Sequence, residues 1–260
     1  MLGFLLFRIF DSMKINEFLD ATYLKTAIQA NISEEENRQK VVDLINEAIL
    51  YNYKLVMIRA KYISLAKEML LKANTDVLIG TVIDFPEGNS SKEIKLEEAK
   101  KAITLGADEL DFVVNYNAFK EGKINLIKAE VFSATKFCIE NNKVAKWIIE
   151  VAALTAEEII VISQLIKGVV LENFDETAVK KVFVKSSTGF FKTEDNKPNG
   201  ATLETMKLIS ENAKPLQIKA AGGVKEYGTA LKMISLGVDR IGTSSAKEIC
   251  TKEKSNNTEY

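Results

Sequence analysis

The sequence predicts an α/β chain folded as a single (β/α)8 TIM barrel, and three observations predict it. Eight short β-branched runs alternate with amphipathic, charge-studded stretches. No Gly-, Pro- or Ser-rich linker divides the 260 residues. Spread over eight units, that length leaves roughly 32 residues per strand–helix repeat. A doubly wound sheet is the alternative. It would be expected to carry a glycine-rich nucleotide loop, and neither G-x-G-x-x-G nor a Walker A pattern occurs.

The strands are expected at 18–24, 53–59, 76–83, 109–115, 145–151, 181–187, 216–222 and 239–245. Helical periodicity fills 33–50, 63–72, 94–105, 124–140, 155–166, 201–212 and 226–236. Ser33 with Glu36 and Thr155 with Glu158 have the spacing of capping boxes. Gly106 and Gly237 follow apolar-periodic stretches, where a helix C-terminus needs positive φ.

Composition narrows the chemistry. Thirty-five Lys+Arg against 36 Asp+Glu give a net charge of -1, too balanced for a dedicated nucleic-acid binder. With 47% hydrophobic residues the chain can bury a full core. There is no histidine, so a Ser-His-Asp triad, a histidine base and a histidine-bound zinc are all excluded. The two cysteines, Cys138 and Cys250, suit a reducing compartment, which places the chain in the cytoplasm. An enzyme of this composition relies on Lys, Asp, Glu, Tyr, Ser, backbone amides or an added cofactor.

The first ten residues, MLGFLLFRIF, are apolar but lack the flanks of a signal peptide and the length of a membrane span. Two readings remain for residues 1–13, a packed N-terminal helix or an extension before a second start at Met13, and the extension is favoured. The barrel is expected to occupy 14–250, and 251–260 form a polar tail closed by Tyr260.

Barrel strands are buried on both faces, so charges inside them stand out. Strand alternation puts Lys185 opposite Val182 and Val184, and therefore inward. The same alternation turns Lys219, Asp111 and Lys146 inward. Their separations of 35, 39 and 34 residues are each close to one repeat, so the four should lie at similar heights on consecutive strands. Asp20 is placed to join them from the first strand. One reading is a set of structural ion pairs. The other is catalytic: burial and neighbouring cations disfavour an ammonium, and an unprotonated amine in a dry pocket is a Schiff-base nucleophile. The turns 186–189, Gly222-Gly223 and Ser244-Ser245 lie at the end of the barrel that commonly holds phosphate.

The blocks GADELDFVVN, KWIIEVAALT, VFVKSSTGF, NGATLETMKLI, KAAGGV and RIGTSSA closely resemble, in order, those of the deoxyribose-phosphate aldolase family. FLDATYLKT, VMIRAKYI and VIDFPEG resemble its first three strands more loosely, and the likeness runs from about Met13 to Ala246. The resemblance implies a class I aldolase that cleaves 2-deoxy-D-ribose 5-phosphate, with no metal or organic cofactor. It implies Lys185 as the Schiff-base lysine, Lys219 as the second lysine whose charge lowers the pKa of the first, Asp111 in the proton relay and Lys146 as its support. It places Thr188, Gly189, Gly222, Gly223, Ser244 and Ser245 about the phosphate, and Asp20 and Thr22 near the substrate.

Phe190 stands where some members carry lysine, Ala21 where many carry histidine, and Met57 where some carry cysteine. Tyr260 matches a terminal tyrosine that assists proton transfer in some members. The implied partner is a small phosphorylated sugar, with no nucleic acid and no membrane, and a homodimer is the assembly to test. Two rivals stay open at this point: a transaldolase-like enzyme, and a catalytically dead barrel that senses sugar phosphates.

Overall fold

The computed structural model describes residues 14–194 and 197–253. The expected N-terminal extension and Tyr260 lie outside the described residues. Eight strands are present: β1 (Leu19–Tyr23), β2 (Leu55–Ile58), β3 (Leu78–Ile83), β4 (Glu109–Val113), β5 (Val144–Ile148), β6 (Val182–Lys185), β7 (Gln217–Ala221) and β8 (Arg240–Thr243). Each pairs in parallel with the next, and β8 returns to β1 to close the barrel.

The helices around it are α1 (Glu34–Tyr51), α2 (Ile63–Ala73), α3 (Lys92–Leu105), α4 (Ile124–Glu140), α5 (Ala156–Asn173), α6 (Leu203–Ala213), α7 (Tyr227–Ser235) and α8 (Ala246–Thr251). Single turns at Ala27–Ala30, Tyr116–Lys120 and Glu176–Val179 fill loops that carry no periodicity long enough to mark them.

Local rules account for most boundaries. Ser33 and Thr155 form both expected capping boxes, with Glu36 and Glu158 as the returning partners. Gly106 caps α3 at φ 116°. Asn52 and Asn74 take the left-handed position after α1 and α2, where a short polar side chain is tolerated. Helix α5 runs past Ile166, where the periodicity suggested an end. Gly168 costs about 1 kcal/mol inside a helix, but Val169 and Val170 are buried and offset it at about 1.5–3 kcal/mol for each side chain fully removed from water.

The strand faces divide as alternation predicts. Leu110, Phe112, Trp147, Val182, Val184, Ile218 and Ala220 join the large core between barrel and helices. The Trp147 indole N–H donates to Thr135 Oγ1 at 3.0 Å, which ties β5 to α4. Inside the barrel, Leu24, Leu55, Met57 and Val82 form a small apolar cluster. A second small apolar cluster, Val113, Tyr116 and Ile148, lies at the ends of β4 and β5, and the Phe183 ring faces Lys146. Much of the rest of the interior is charged.

The expected common height of the four charges needs one correction. Asp111 is level with Lys146, and Lys185 with Lys219 and Arg240, but Lys146 is level with Phe183. Lys185 therefore sits two residues further along than the partner of Lys146. The charges occupy two successive inward rungs, and the tilt of barrel strands brings the rungs together at the axis.

Candidate active site

Six strands send ionic side chains to one point on the barrel axis. Asp20 comes from β1, Glu109 and Asp111 from β4, Lys146 from β5, Lys185 from β6, Lys219 from β7 and Arg240 from β8. Each is at least nine-tenths buried. Lys185 Nζ donates to Asp111 Oδ2 at 2.7 Å, and Lys219 Nζ to the same oxygen at 2.9 Å. Lys219 also lies 2.6 Å from Asp20 Oδ2. Lys146 reaches Asp20 at 2.9 Å, Glu109 at 2.5 Å and Asp111 at 3.7 Å. Arg240 Nε donates to Asp20 Oδ1 at 2.7 Å, its Nη2 donates to the same oxygen, and its Nη1 donates to Glu109 at 3.2 Å.

Small residues make room for this cluster. Gly242 on β8 faces Lys219, and a Cβ there would lie 3.0 Å from Lys219 Cε. Ser186 Oγ donates to the carbonyl of Ala221 and accepts from its amide, both at 3.0 Å, which locks β6 to β7 beside the two lysines.

Three carboxylates face four cations, so the cluster carries one positive charge more than it can neutralise. Burial alone would push Asp111 up, but Lys185, Lys219 and Lys146 outweigh it and hold the carboxyl well below the usual range. Asp20 is likewise held low against burial by Arg240, Lys146 and Lys219. Burial pulls Lys219 down to about 8, although Asp111 and Asp20 oppose it. Lys146 goes the other way: burial lowers it, but Asp20 and Glu109 outweigh burial and carry it up to about 12. The proton on Lys219 is thus the more loosely held of these two.

Above the cluster opens a cavity of about 450 Å³. Lys185 and Thr22 stand in its wall with the turns Thr188-Gly189, Gly222-Gly223 and Ser244. Gly189, Gly222 and Gly223 all take positive φ, so their amides are presented without a Cβ in the way. The Gly222 position has a second cause. A Cβ there would lie 2.9 Å from Gly200 Cα, because the 199–201 turn packs directly on it.

Two of the expected substrate residues do not line this cavity. Asp20 lies beneath the cavity in the ion cluster, and Ser245 is fully buried, its amide donating to Thr243 Oγ1 at 2.9 Å. Phe190 turns from this cavity to pack edge-on against Phe85, with ring centroids 5.0 Å apart.

Arg240 and Glu109 were not singled out from the sequence. The signal was present: each is a charge on the inward face of a barrel strand, the criterion that selected Lys185. Among the described residues no group of His, Cys, Asp or Glu gathers as a metal site.

A protein of Mycoplasma capricolum subsp. capricolum named deoxyribose-phosphate aldolase is 37% identical over 243 residues, 93% of this chain and 97% of its own. The chain belongs to the deoxyribose-phosphate aldolase family. It is therefore a lyase, an aldolase by family. A second family member, from Thermococcus gammatolerans, is 36% identical over 91% of this chain and 95% of its own. Among solved structures, that of a putative deoxyribose-phosphate aldolase from Coccidioides immitis superposes with a TM-score of 0.76 at 31% identity, over 92% of this chain and 85% of that one. The deoxyribose-phosphate aldolase of Aeropyrum pernix, described as a unique tetramer, gives 0.75 at 25% identity, over 95% of each chain. No family model matches the chain.

Proposed function

We propose that this chain reversibly cleaves 2-deoxy-D-ribose 5-phosphate to D-glyceraldehyde 3-phosphate and acetaldehyde through a Schiff base on Lys185. The observation that carries the reading is that Lys185 Nζ sits at the junction of the cavity and the ion cluster and donates to Asp111 Oδ2, an oxygen it shares with Lys219.

Attack on an aldehyde needs the unprotonated amine. The cluster has one cation in excess, so loss of one lysine proton neutralises it instead of creating a buried charge. Lys219 and Asp111 are the channel for that proton, since both lysines address Asp111 Oδ2. The amine of Lys185 adds to the sugar aldehyde, water leaves, and the resulting iminium is the electron sink. The bond between carbons 2 and 3 then breaks, leaving an enamine. Asp111, Lys219 and a water protonate the enamine carbon. Hydrolysis frees acetaldehyde and restores Lys185. Lys146 holds Asp111 and Asp20 in place and keeps its own proton throughout. The amides about Gly189, Gly222, Gly223 and Ser244 are the proposed phosphate cradle, and Thr22 meets the sugar.

The reaction belongs to the breakdown of deoxyribose phosphate derived from deoxynucleosides. The two free thiols suit a reducing cytoplasm. Among the described residues no helix is long and apolar enough to cross a membrane. The tetramer of the Aeropyrum pernix neighbour makes self-association part of the reading, with a homodimer the smallest assembly.

Borohydride reduction in the presence of acetaldehyde, followed by peptide mass mapping, tests the proposal. An N-ethyl group on Lys185 is the expected result. Active enzyme with no label, or with label on another lysine, would falsify it.

A further inference from the structure

Glu150 follows β5 in the left-handed region, at φ 58°. A non-glycine residue pays conformational strain there, and such positions persist where surrounding contacts demand them. The demanding contact is Thr188. Glu150 Oε2 accepts the Thr188 amide at 3.1 Å and the Thr188 hydroxyl as well. Thr188 Oγ1 in turn accepts the Phe190 amide at 3.0 Å. Glu150 is 1% exposed, and its Oε1 is buried with no hydrogen-bond partner. Both residues line a second cavity of about 590 Å³, while Thr188 also stands in the wall of the first beside Lys185. Thr188 is thus the partition between the two cavities, and Glu150 lies behind it.

We propose that Glu150 is a positioning residue of the aldol step: it fixes the Thr188 hydroxyl as an acceptor facing the sugar and takes up the proton that Thr188 passes on. The inference rests on the Schiff-base reading above. With its hydrogen given to Glu150, Thr188 offers the substrate a lone pair. When the bond between carbons 2 and 3 breaks, its electron pair moves into the enamine. The oxygen on carbon 3 becomes the carbonyl of the released aldehyde, and its proton must leave. That proton passes to Thr188 Oγ1 as Thr188's own passes to Glu150. One proton leaves the sugar and one arrives on the carboxylate, and the second cavity gives it a route to solvent.

The two acids in reach are suited to different work. Asp111 sits among three lysines, so the protons it handles are those of the amines and of the enamine carbon beside them. Burial instead raises Glu150, opposed in part by Thr188 and by Lys185. The other charged or titratable groups about it are Tyr116, Glu87 and Lys192, all on the second cavity. Glu87 is an anion and Lys192 a cation, so their charges oppose one another, and Tyr116 is a neutral phenol pushed up by burial.

The test separates two reactions of one enzyme. Exchange of the acetaldehyde methyl protons in D₂O needs the iminium, the enamine and the relay of Asp111, Lys219 and a water, but no hydroxyl on carbon 3. Cleavage of 2-deoxyribose 5-phosphate needs the carbon-3 hydroxyl as well. Glu150→Gln keeps the shape and an acceptor for Thr188 but takes no proton. Its kcat for cleavage should fall roughly 10²- to 10⁴-fold, with KM and methyl exchange within about threefold of the parent. Thr188→Val breaks the same relay with the Glu150 carboxylate left in the chain; because Thr188 also meets the sugar, its KM is free to rise, and the quantity read is the ratio of cleavage kcat to methyl exchange, which should fall by the same factor and decides the matter if the Gln variant does not fold. Cleavage within twofold of the parent in either folded variant overturns the inference, as does an equal loss of cleavage and exchange. A parent enzyme with neither exchange nor a reducible imine would remove the Schiff-base reading, and this inference with it.

Discussion

Lys185 and Lys219 are register partners on adjacent strands, and their ammonium groups converge on a single oxygen, Asp111 Oδ2. Two cations sharing one acceptor make each other's proton easier to lose. Lys219→Met removes one of them with little change of volume. Asp111 then has Lys185 and Lys146 alone to neutralise it. The pH at which acetaldehyde forms a reducible imine should rise by about one unit or more. An unchanged profile in the folded variant would show that Lys219 does not act on Lys185 through charge.

Much of this site was legible in the sequence for a simple reason. A charge in a strand buried on both faces has no structural default, so alternation alone turned Lys185, Lys219, Asp111 and Lys146 to the axis. All eight strands were found by the same two signals, β-branching and repeat spacing. Chemistry on a turn was harder to read. Whether Ser245 offers its amide to a ligand or to Thr243, and whether Asp20 meets substrate or Arg240, depends on how strand ends tilt and stagger. Alternation does not encode that. The double role of Gly222 was equally hidden, because its contact, Gly200, lies in a different loop.

The cluster also gives folding stability a shape in pH. Asp111 and Asp20 are held below their unfolded values, so their contribution is present above about pH 4 and is lost as pH falls through their lower folded values. Lys219 has the opposite economy. Its folded value of about 8 is below that of a free lysine, so the unfolded chain binds its proton more tightly. The Lys219 contribution should therefore rise between pH 8 and about 10.4, by on the order of 3 kcal/mol at most. Lys146, raised to about 12, contributes stability that is full below about 10.4 and lost as pH climbs through 12. Cys138, pushed up to about 12 by burial, lowers both curves above about pH 9, so the sign to read is the difference: from pH 7 to 10 the denaturant midpoint of the parent should gain on that of Lys219→Met. Parallel curves would show that Lys219 is not buried in its charged form.

Gly222 and Gly228 make a matched pair for testing the cavity wall. An alanine at 222 must hold φ 83° and meet the 199–201 backbone, which Ala201 ties down by donating to the Ala221 and Gly222 carbonyls at 3.1 and 2.9 Å. Gly228, in the first turn of α7, has nothing within 4 Å of its would-be Cβ. Gly222→Ala should cost roughly 1–3 kcal/mol. It should also raise KM for the phosphorylated sugar more than it lowers kcat, because the displaced turn belongs to the proposed phosphate cradle. Gly228→Ala should leave kinetics alone and shift stability by less than about 1 kcal/mol, in the favourable direction. Equal KM values in the two variants would place the phosphate away from this turn.

Arg240 and Lys185 separate what holds the cluster together from what reacts. Arg240 is the guanidinium that binds Asp20 and Glu109 at once, and both carboxylates are buried. Arg240→Met leaves Asp20 with Lys219 and Lys146, and Glu109 with Lys146 alone, and removing one member of such a buried pair typically costs about 3–5 kcal/mol. The midpoint of thermal unfolding should drop by on the order of 10 °C. Lys185 has one carboxylate partner, and that carboxylate keeps Lys219 and Lys146. Lys185→Met should therefore unfold within a few degrees of the parent while losing roughly 10⁴- to 10⁶-fold in kcat. A Lys185 variant as unstable as the Arg240 variant would mean that the sixth-strand lysine is chiefly a structural counter-ion, and its activity loss would then say nothing about nucleophilic attack.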